Sequence, residues 1–468
     1  MPPVNVINGT NGPDHLSALD PDGNLVNAYG GNDTLFAAGG NDEVYGGAGE
    51  DKLNTGGGND LVFGEDGNDE LRGDVGNDTM YGGAGKDLLM GHEGDDNLYG
   101  GTDDDEIHGL YDSDNIWGGD GDDRLFGGKT GNDVIYGDGG NDRLWGGGLY
   151  GGKGDFQLQY GGDGNDHVGG DRGTDYGYGD AGNDIVWGGR DNDFGYGGSG
   201  KDSVHGNVGD DQIFGEVGKD EMVGGKDNDY VYGGAGRDEA SGNTGNDYVY
   251  GGAGNDDLLG GSGDDVILPG AGRNEVQGGG GRDTLSYADI GDAVVVDLGD
   301  DVFQKAAKGE KVRNVENVTG SQGADKLTPK KGGSVFGEGG DDVLNSAKGS
   351  VMRGDAGNDR LNGHNGGKDT FWLTTDAGTD SLFNFKAGQD KVRVDGGAFG
   401  IGASLDGSEL VNRANGHDAS EAKAQLIYDQ SDKSLWWDAD GTGSGAAQKI
   451  ANFNGGPGSL STGDFDIV

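Results

Sequence analysis

The 468-residue sequence contains no cysteine. No disulfide can brace the fold and no thiolate can hold a metal, which excludes disulfide scaffolds and Cys-based zinc sites. Long apolar runs are also missing, and nothing approaches the ~20 residues of a membrane-spanning helix. Hydrophobic residues make up only 31% of the chain, too few for a wide core. Positive charge is scarce: 33 Lys and Arg stand against 85 Asp and Glu, a net charge of −52. That sign excludes nucleic acid as a partner. Catalytic signatures are absent too. His92-Glu93 continues as Gly94-Asp95-Asp96, so no His-Glu-x-x-His zinc helix forms. Gly195 to Lys201 imitates a phosphate loop but Asp202 stands where Ser or Thr is required, and no Gly-x-Ser-x-Gly elbow occurs. The expectation is a protein that is not an enzyme.

What the chain has is glycine, 109 residues of it, and aspartate at strict intervals. Tyr-Val-Tyr-Gly-Gly-Ala-Gly-Arg-Asp at 230–238 returns as Tyr-Val-Tyr-Gly-Gly-Ala-Gly-Asn-Asp at 248–256, with a looser copy at 239–247. The period is nine, and two nines make one unit. The Gly-rich part suits a turn, because glycine reaches positive φ without steric cost. The apolar triplet after it is a minimal strand with one inward side chain. A strand that short is stable only when stacked on copies of itself.

The register is carried by Asp33, Asp42, Asp51, Asp60, Asp69, Asp78, Asp87, Asp96, Asp105, Asp114, Asp123, Asp133 and Asp142. After a break at Gly146 to Tyr160 it resumes with Asp166, Asp175, Asp184, Asp193, Asp202, Asp211, Asp220, Asp229, Asp238, Asp247, Asp256, Asp265 and Asp283, with Asn274 in the remaining place. The break reads as a bulged coil or as the junction of two rolls. Two residues after each Asp comes an inward position, aliphatic or Met from Leu35 to Leu144 and mostly so from Val168 to Leu285. Gly177 and Gly195 interrupt it, predicting a roll that is narrowed or re-registered there. Stacked carboxylates repel unless cations sit between them. Hard oxygen ligands on flexible turns favour Ca²⁺ over Mg²⁺ or transition metals, and about two dozen such ions would nearly cancel the net charge.

The nonapeptide Gly-Gly-x-Gly-x-Asp-x-apolar-x resembles that of the repeats-in-toxin (RTX) family of secreted calcium-binding proteins, over nearly the whole chain. The resemblance implies an all-β fold: a parallel β-roll in two main blocks and a decayed third, capped by a small C-terminal β domain. It implies Ca²⁺ shared between turns one coil apart, Asp238 with Asp256 and Asp247 with Asp265. The predicted divisions are a cap at 1–28, roll blocks at 29–146 and 161–287 around a register break at 147–160, a non-repeat β connector at 288–318, a degenerate block at 319–372 and a closing β domain at 373–468. The third block is carried by Asp325, Asp342, Asp359 and Asp369, with Asp342 and Asp359 as its metal ligands. Val294–Leu298 and Val312–Val318 are expected strands of the connector.

The opening residues Met1 to Ile7 have no basic region and no cleavable apolar segment. Asp464-Phe465-Asp466-Ile467-Val468 resembles the family's C-terminal export tail. Together these imply passage through a type I secretion apparatus, extracellular or cell-surface localisation, and folding on extracellular calcium. Family roles at the surface or matrix include adhesion, biofilm, surface layers and host signalling, with a polysaccharide or cell-surface partner. Two alternatives stand beside this. One is the C-terminal part of an RTX enzyme, although the repeats begin within about 30 residues of Met1. The other is a glycan-binding module using the outward residue three after each Asp, aromatic at alternate repeats: Tyr45, Phe63, Tyr81, Tyr99, Trp117, Tyr136, then Tyr178, Tyr196, Phe214, Tyr232 and Tyr250. Its competing reading is a stacked ladder that stabilises the sheet. Asp20-Pro21-Asp22-Gly23 and Asp438-Ala439-Asp440-Gly441-Thr442-Gly443 are read as turns, and His108 and His205 as outward-facing.

Overall fold

The computed structural model describes residues 5–147, 156–299, 304–305, 309–375, 378–419, 423–441 and 447–468. The chain divides into two compact units, 1–247 and 248–468. The fold is all-β, built almost wholly from parallel strands.

In the first unit each strand pairs with the strand one coil later. Thr79–Ala84 lies beside Asn97–Thr102 with Met80 opposite Leu98, and Leu88–Glu93 lies beside Glu106–Tyr111 with Leu89 opposite Ile107. Alternate strands belong to two facing sheets. The turn Gly46 to Asp51 shows why the sequence folds this way. Gly47 and Gly49 take φ of 106° and 141°, conformations a side chain opposes. A Cβ on Gly49 would also collide with the Gly31 carbonyl of the coil below. The inward residues form a thin core: Leu53, Val62, Leu71, Met80, Leu89, Leu98, Ile107 and Ile116 are at most 1% exposed.

Pairing runs through the sequence break. Val134–Gly139 sits beside Phe156–Asp163, with Val134 opposite Leu158 and Tyr136 opposite Tyr160. The inserted residues Gly151 to Asp155 lie outside the described residues, as do Val4, Thr442 and Gly443. At Gly177 and Gly195 the register is kept, glycine opposite glycine. The roll closes inward instead: a Cβ on Gly177 would lie 2.9 Å from Val186 Cγ1, and one on Gly195 2.7 Å from Val204 Cγ1. The valines of the facing sheet fill the space that larger residues take elsewhere. The N-terminal strands Asn5–Asn8 and Asn24–Asn27 join the same ladder, pairing with each other and then with Glu43–Ala48.

In the second unit the parallel ladder continues through the stretch expected to be a non-repeat connector. Lys311–Arg313 pairs with Glu275–Gly280, and Asn317–Thr319 with Thr284–Ser286. The expected strand Val312–Val318 is therefore two strands, split by a turn in which Asn314 has φ 52°. Val295–Asp297 and Gln304–Lys305 form an antiparallel insertion in one sheet. Beyond it the coil is 17 residues: Val335 sits opposite Val318 and Met352 opposite Val335. The next steps lengthen to 19 and 21 residues, with Phe371 opposite Met352 and Val392 opposite Phe371. The parallel ladder goes on to Thr370–Trp372, Lys391–Val394 and Phe465–Ile467. Gln425–Asp429, Ser434–Asp438 and Gln448–Asn454 form an antiparallel meander. Here the core is of ordinary kind, with Phe399 against Trp437 at 5.3 Å and Tyr428 against Phe453 at 5.5 Å.

Candidate metal centres

Every predicted ligand aspartate, from Asp33 to Asp359, is at most 3% exposed. Apart from Asp175, which lies inside the strand Thr174–Gly182, each sits just before a strand, where the chain leaves the turn. In the first unit the turns form two edges. Along one run Asp33, Asp51, Asp69, Asp87, Asp105, Asp123, Asp142, Asp166, Asp184, Asp202, Asp220 and Asp238. Along the other run Asp42, Asp60, Asp78, Asp96, Asp114 and Asp133, then Asp175, Asp193, Asp211, Asp229 and Asp247. In each row the backbone N–H of one Asp donates to Oδ1 of the Asp one coil on, as from Asp33 to Asp51 at 2.7 Å. In the second unit Asp256 donates to Asn274, Asp265 to Asp283, and Asp325, Asp342 and Asp359 form a further row. The expected pairs Asp238 with Asp256 and Asp247 with Asp265 have their members in different units.

One oxygen of each carboxylate is thus used. The other is not. Oδ2 of Asp51, Asp69, Asp78, Asp87, Asp96, Asp105, Asp114 and Asp123 is buried with no hydrogen-bond partner, and so is that of Asp184, Asp193, Asp211, Asp229, Asp283 and Asp342. These oxygens border a seat. A Cβ placed on Gly46 would lie 2.6 Å from Asp51 Oδ2 and 2.8 Å from the carbonyl oxygen of Gly64 on the next coil. On Gly161 it would lie 2.6 Å from Asp166 Oδ2 and 2.7 Å from the Gly179 carbonyl. The seat is roofed by an orphaned carboxylate oxygen and by a carbonyl from the neighbouring coil.

Burial without a counter-charge drives these carboxyls far up. Desolvation is the main cause, opposed by the backbone N–H of the coil before and reinforced by the next carboxylates in the row. Asp78, Asp105 and Asp229 are pushed to about 8, and Asp114 and Asp193 to about 9. Asp87 and Asp123, with weaker contributions from neighbouring carboxylates, reach about 6. A cation in the seat would reverse each shift. Among the described residues no three His, Cys, Asp or Glu side chains converge. An ion here would take its remaining oxygens from backbone carbonyls, a hard and flexible set that fits Ca²⁺.

Several positions in the rows escaped sequence reasoning. Gln157 lies between Asp133 and Asp175, hidden by the insertion before it. Glu316 accepts the Asp283 N–H at 3.2 Å and is paired with Lys330 at 2.9 Å, an ammonium standing in for a metal. Buried Glu310 accepts the Tyr287 hydroxyl. Asp325 and Asp369 share the register but have their oxygens filled by protein donors: Val294 N and Ser321 N and Oγ for the first, Ser346 Oγ, Gly349 N, Ser350 N and His364 N for the second. Asp380 and Asp390 extend the two rows at a 21-residue step. Where the residue before the Asp is Asn or Asp, it forms a ladder of opposite sense, as Asn77 N–H to Asn59 Oδ1 and Asn59 N–H to Asn41 Oδ1. Its signal was the recurring Asn-Asp pair.

The outward aromatics stack. Tyr45, Phe63, Tyr81, Tyr99, Trp117, Tyr136, Tyr160, Tyr178, Tyr196 and Phe214 follow one another at 4.4–5.6 Å between centroids and within 12° of parallel. Tyr160 fills the gap left in the sequence reading, and Tyr232 follows Phe214 tilted by 50°. His108 faces outward and stacks on Phe126 at 4.6 Å; His205 faces outward and is half-buried.

The profile of the RTX calcium-binding nonapeptide repeat, in four copies, matches residues 27–62, 63–98, 99–129, 128–148, 173–204, 196–231, 232–267, 270–289 and 351–371, more than half of the chain. No curated protein sequence matches. Among solved structures, the crystal structure of extracellular lipase LipA from Serratia marcescens is 18% identical over 52% of this chain and 40% of that one, with a TM-score of 0.20. The chain spans less than half of that protein's length. The ninefold register, the paired rows of buried aspartate and the match across both units agree: the chain belongs to the family of RTX calcium-binding nonapeptide repeats, and its repeats are calcium-binding ones.

Proposed function

We propose that this protein is a secreted, non-enzymatic calcium-binding protein whose rolls close when it meets extracellular calcium, and that it acts at the cell surface or in the surrounding matrix. The single observation that carries the calcium-driven closure is the series of buried carboxylates with an unpartnered Oδ2, such as Asp51, Asp69 and Asp87 in one row and Asp78, Asp96 and Asp114 in the other. An uncompensated buried carboxylate costs several kcal/mol, and a core one residue wide per half-coil cannot offset a long series of them. Bound calcium supplies the positive charge that each seat lacks. The protein's own part is to hold Oδ1 on the backbone N–H of the coil before, to aim Oδ2 into the seat, and to bring the next coil's glycine carbonyl over it. Weak sites of the extracellular kind fill at millimolar calcium and stay empty in a cytosol, so export precedes closure. Secretion and the surface role rest on family resemblance. The glycan-binding alternative loses support from the stacking of the outward rings: their faces are covered by each other, and only edges reach solvent.

The test is circular dichroism during a calcium titration at neutral pH. Disordered signal in calcium-free buffer, turning to β on calcium addition, is the expected result. A chain already β-rich without calcium at pH 7.5 would overturn the closure mechanism.

A further inference from the structure

At two places inside the rows an amide stands where the register calls for a carboxylate. Gln157 carries the ladder onward: its Oε1 accepts the Asp133 N–H at 3.1 Å, and its own N–H donates to Asp175 Oδ1 at 3.2 Å. The seat beneath it is changed. Over Gly46 or Gly161 the space is bordered by a carboxylate oxygen and a carbonyl; over Gly146 it is bordered by Gln159 Nε2 at 2.5 Å and Gln157 Cγ at 2.6 Å. Gln157 Nε2 donates to the Gly131 carbonyl at 3.1 Å, and Gln159 Nε2 to the Gly169 carbonyl at 3.0 Å. Both glutamines are buried, 4% and 1% exposed. Gln159 moreover occupies an inward position where nearly every other coil of the unit has an aliphatic residue.

Asn274 repeats the arrangement in the second unit. Its Oδ1 accepts the Asp256 N–H at 2.8 Å, and its Nδ2 donates to the Pro269 carbonyl at 2.9 Å. That carbonyl borders the space over Gly251, at 2.7 Å from a Cβ placed there, as the Gly64 carbonyl borders the space over Gly46; Asp256 Oδ2 borders the same space at 3.0 Å, so here the amide occupies the roof carbonyl while the carboxylate oxygen stays.

We propose that Gln157 with Gln159, and Asn274 separately, are built-in plugs that take the place of a calcium ion. An amide nitrogen offers two N–H donors and no lone pair to a cation. It satisfies the carbonyls that would otherwise need an ion, and it carries no charge to be neutralised. These steps of the rows therefore close without calcium, and the bound ions number fewer than the turns. The residues at these positions decide which seats take metal. The inference rests on the calcium reading of the other seats.

The test counts calcium on the full chain by atomic emission after equilibration in millimolar calcium, for the wild type, Gln157→Asp and Asn274→Asp. Each substitution is expected to add one ion per chain. Hydrogen exchange at falling calcium gives the second readout. In the wild type the Asp133 amide keeps its protection at calcium levels where the Asp78 and Asp96 amides have lost theirs; in Gln157→Asp it is lost together with them. Gln159→Val covers the case in which the charged variant does not fold, since it removes the amide and restores the aliphatic row. There, protection at Asp133 is expected to fall at low calcium. A wild type that binds no calcium overturns the functional reading itself. A wild type that binds calcium, with unchanged counts in both Asp variants or with Asp133 protection unchanged in Gln159→Val, overturns the plugs alone.

Discussion

At the scale of the residue, an aspartate with an orphaned oxygen, such as Asp96, does two separable things. Oδ1 holds the coil before through an N–H, and Oδ2 awaits an ion. Asp96→Asn separates them. Asparagine keeps an acceptor for the Asp78 N–H, now at 2.8 Å, but puts an amide into the seat. The variant is expected to fold in excess calcium, to bind one ion fewer, and to be less stable by about 1–3 kcal/mol, the usual cost of losing a charged buried partner. Urea unfolding at fixed calcium measures this, and a variant with the wild-type ion count would show that Asp96 holds no calcium. The outward rings are a second residue-scale case. Each stacked pair is worth about 0.5–1.5 kcal/mol beyond burial. Replacing Tyr81, Tyr99 and Trp117 by Ser breaks four contacts, among them Tyr81 on Tyr99 at 4.7 Å and Tyr99 on Trp117 at 4.4 Å. The calcium-loaded melting temperature should fall by several degrees while calcium stoichiometry stays the same.

At the scale of the element, the row of carboxyls behaves as one titrating object. Folded and calcium-free, Asp69 and Asp105 in one row and Asp78, Asp96 and Asp114 in the other sit at about 7 to 9, far above the ordinary carboxylate range. Groups whose folded pKa is raised bind more protons when folded. Their stabilisation is complete below about 4 and is lost as pH rises through the range 6–9. Calcium-free coils should therefore gain β structure as pH falls from 8.5 to 5, and the calcium midpoint should move to higher concentration over the same range as protons compete for Oδ2. Circular dichroism at several pH values reads both, and β content that rises with pH in calcium-free buffer would contradict the assignment. The same row explains what was legible in sequence. A ninefold Asp, with one residue inserted between Asp123 and Asp133, and an inward aliphatic residue two places on made the coil legible from Asp33 to Asp142, because each turn and strand there repeats the one before it. Coils built on other chemistry were missed. Gln157 follows an insertion, and Glu310 and Glu316 are the wrong acids. Hydrogen bonding that replaces a metal leaves no periodic mark.

At the scale of the whole molecule, the net charge of −52 invites a simple explanation: an unfolded polyanion that any salt would let collapse. The burial of the aspartates separates that from specific binding. Diffuse repulsion acts between solvated charges and is screened within about 10 Å at 0.1 M salt and about 3 Å at 1 M. The Oδ2 atoms are out of reach of that atmosphere, sealed between coils with a glycine carbonyl overhead. Mobile counter-ions cannot neutralise them without entering the seat and shedding water. Molar sodium chloride should therefore fail to produce the β signal at neutral pH, although it screens every exposed carboxylate. Millimolar calcium should produce it in full. Magnesium, which dehydrates reluctantly and demands near-octahedral geometry, should act only weakly at equal concentration. Full folding in sodium chloride alone would mean that polyelectrolyte repulsion, rather than the unfilled seats, keeps the rolls open, and the ordered spacing of aspartate would then need a different cause.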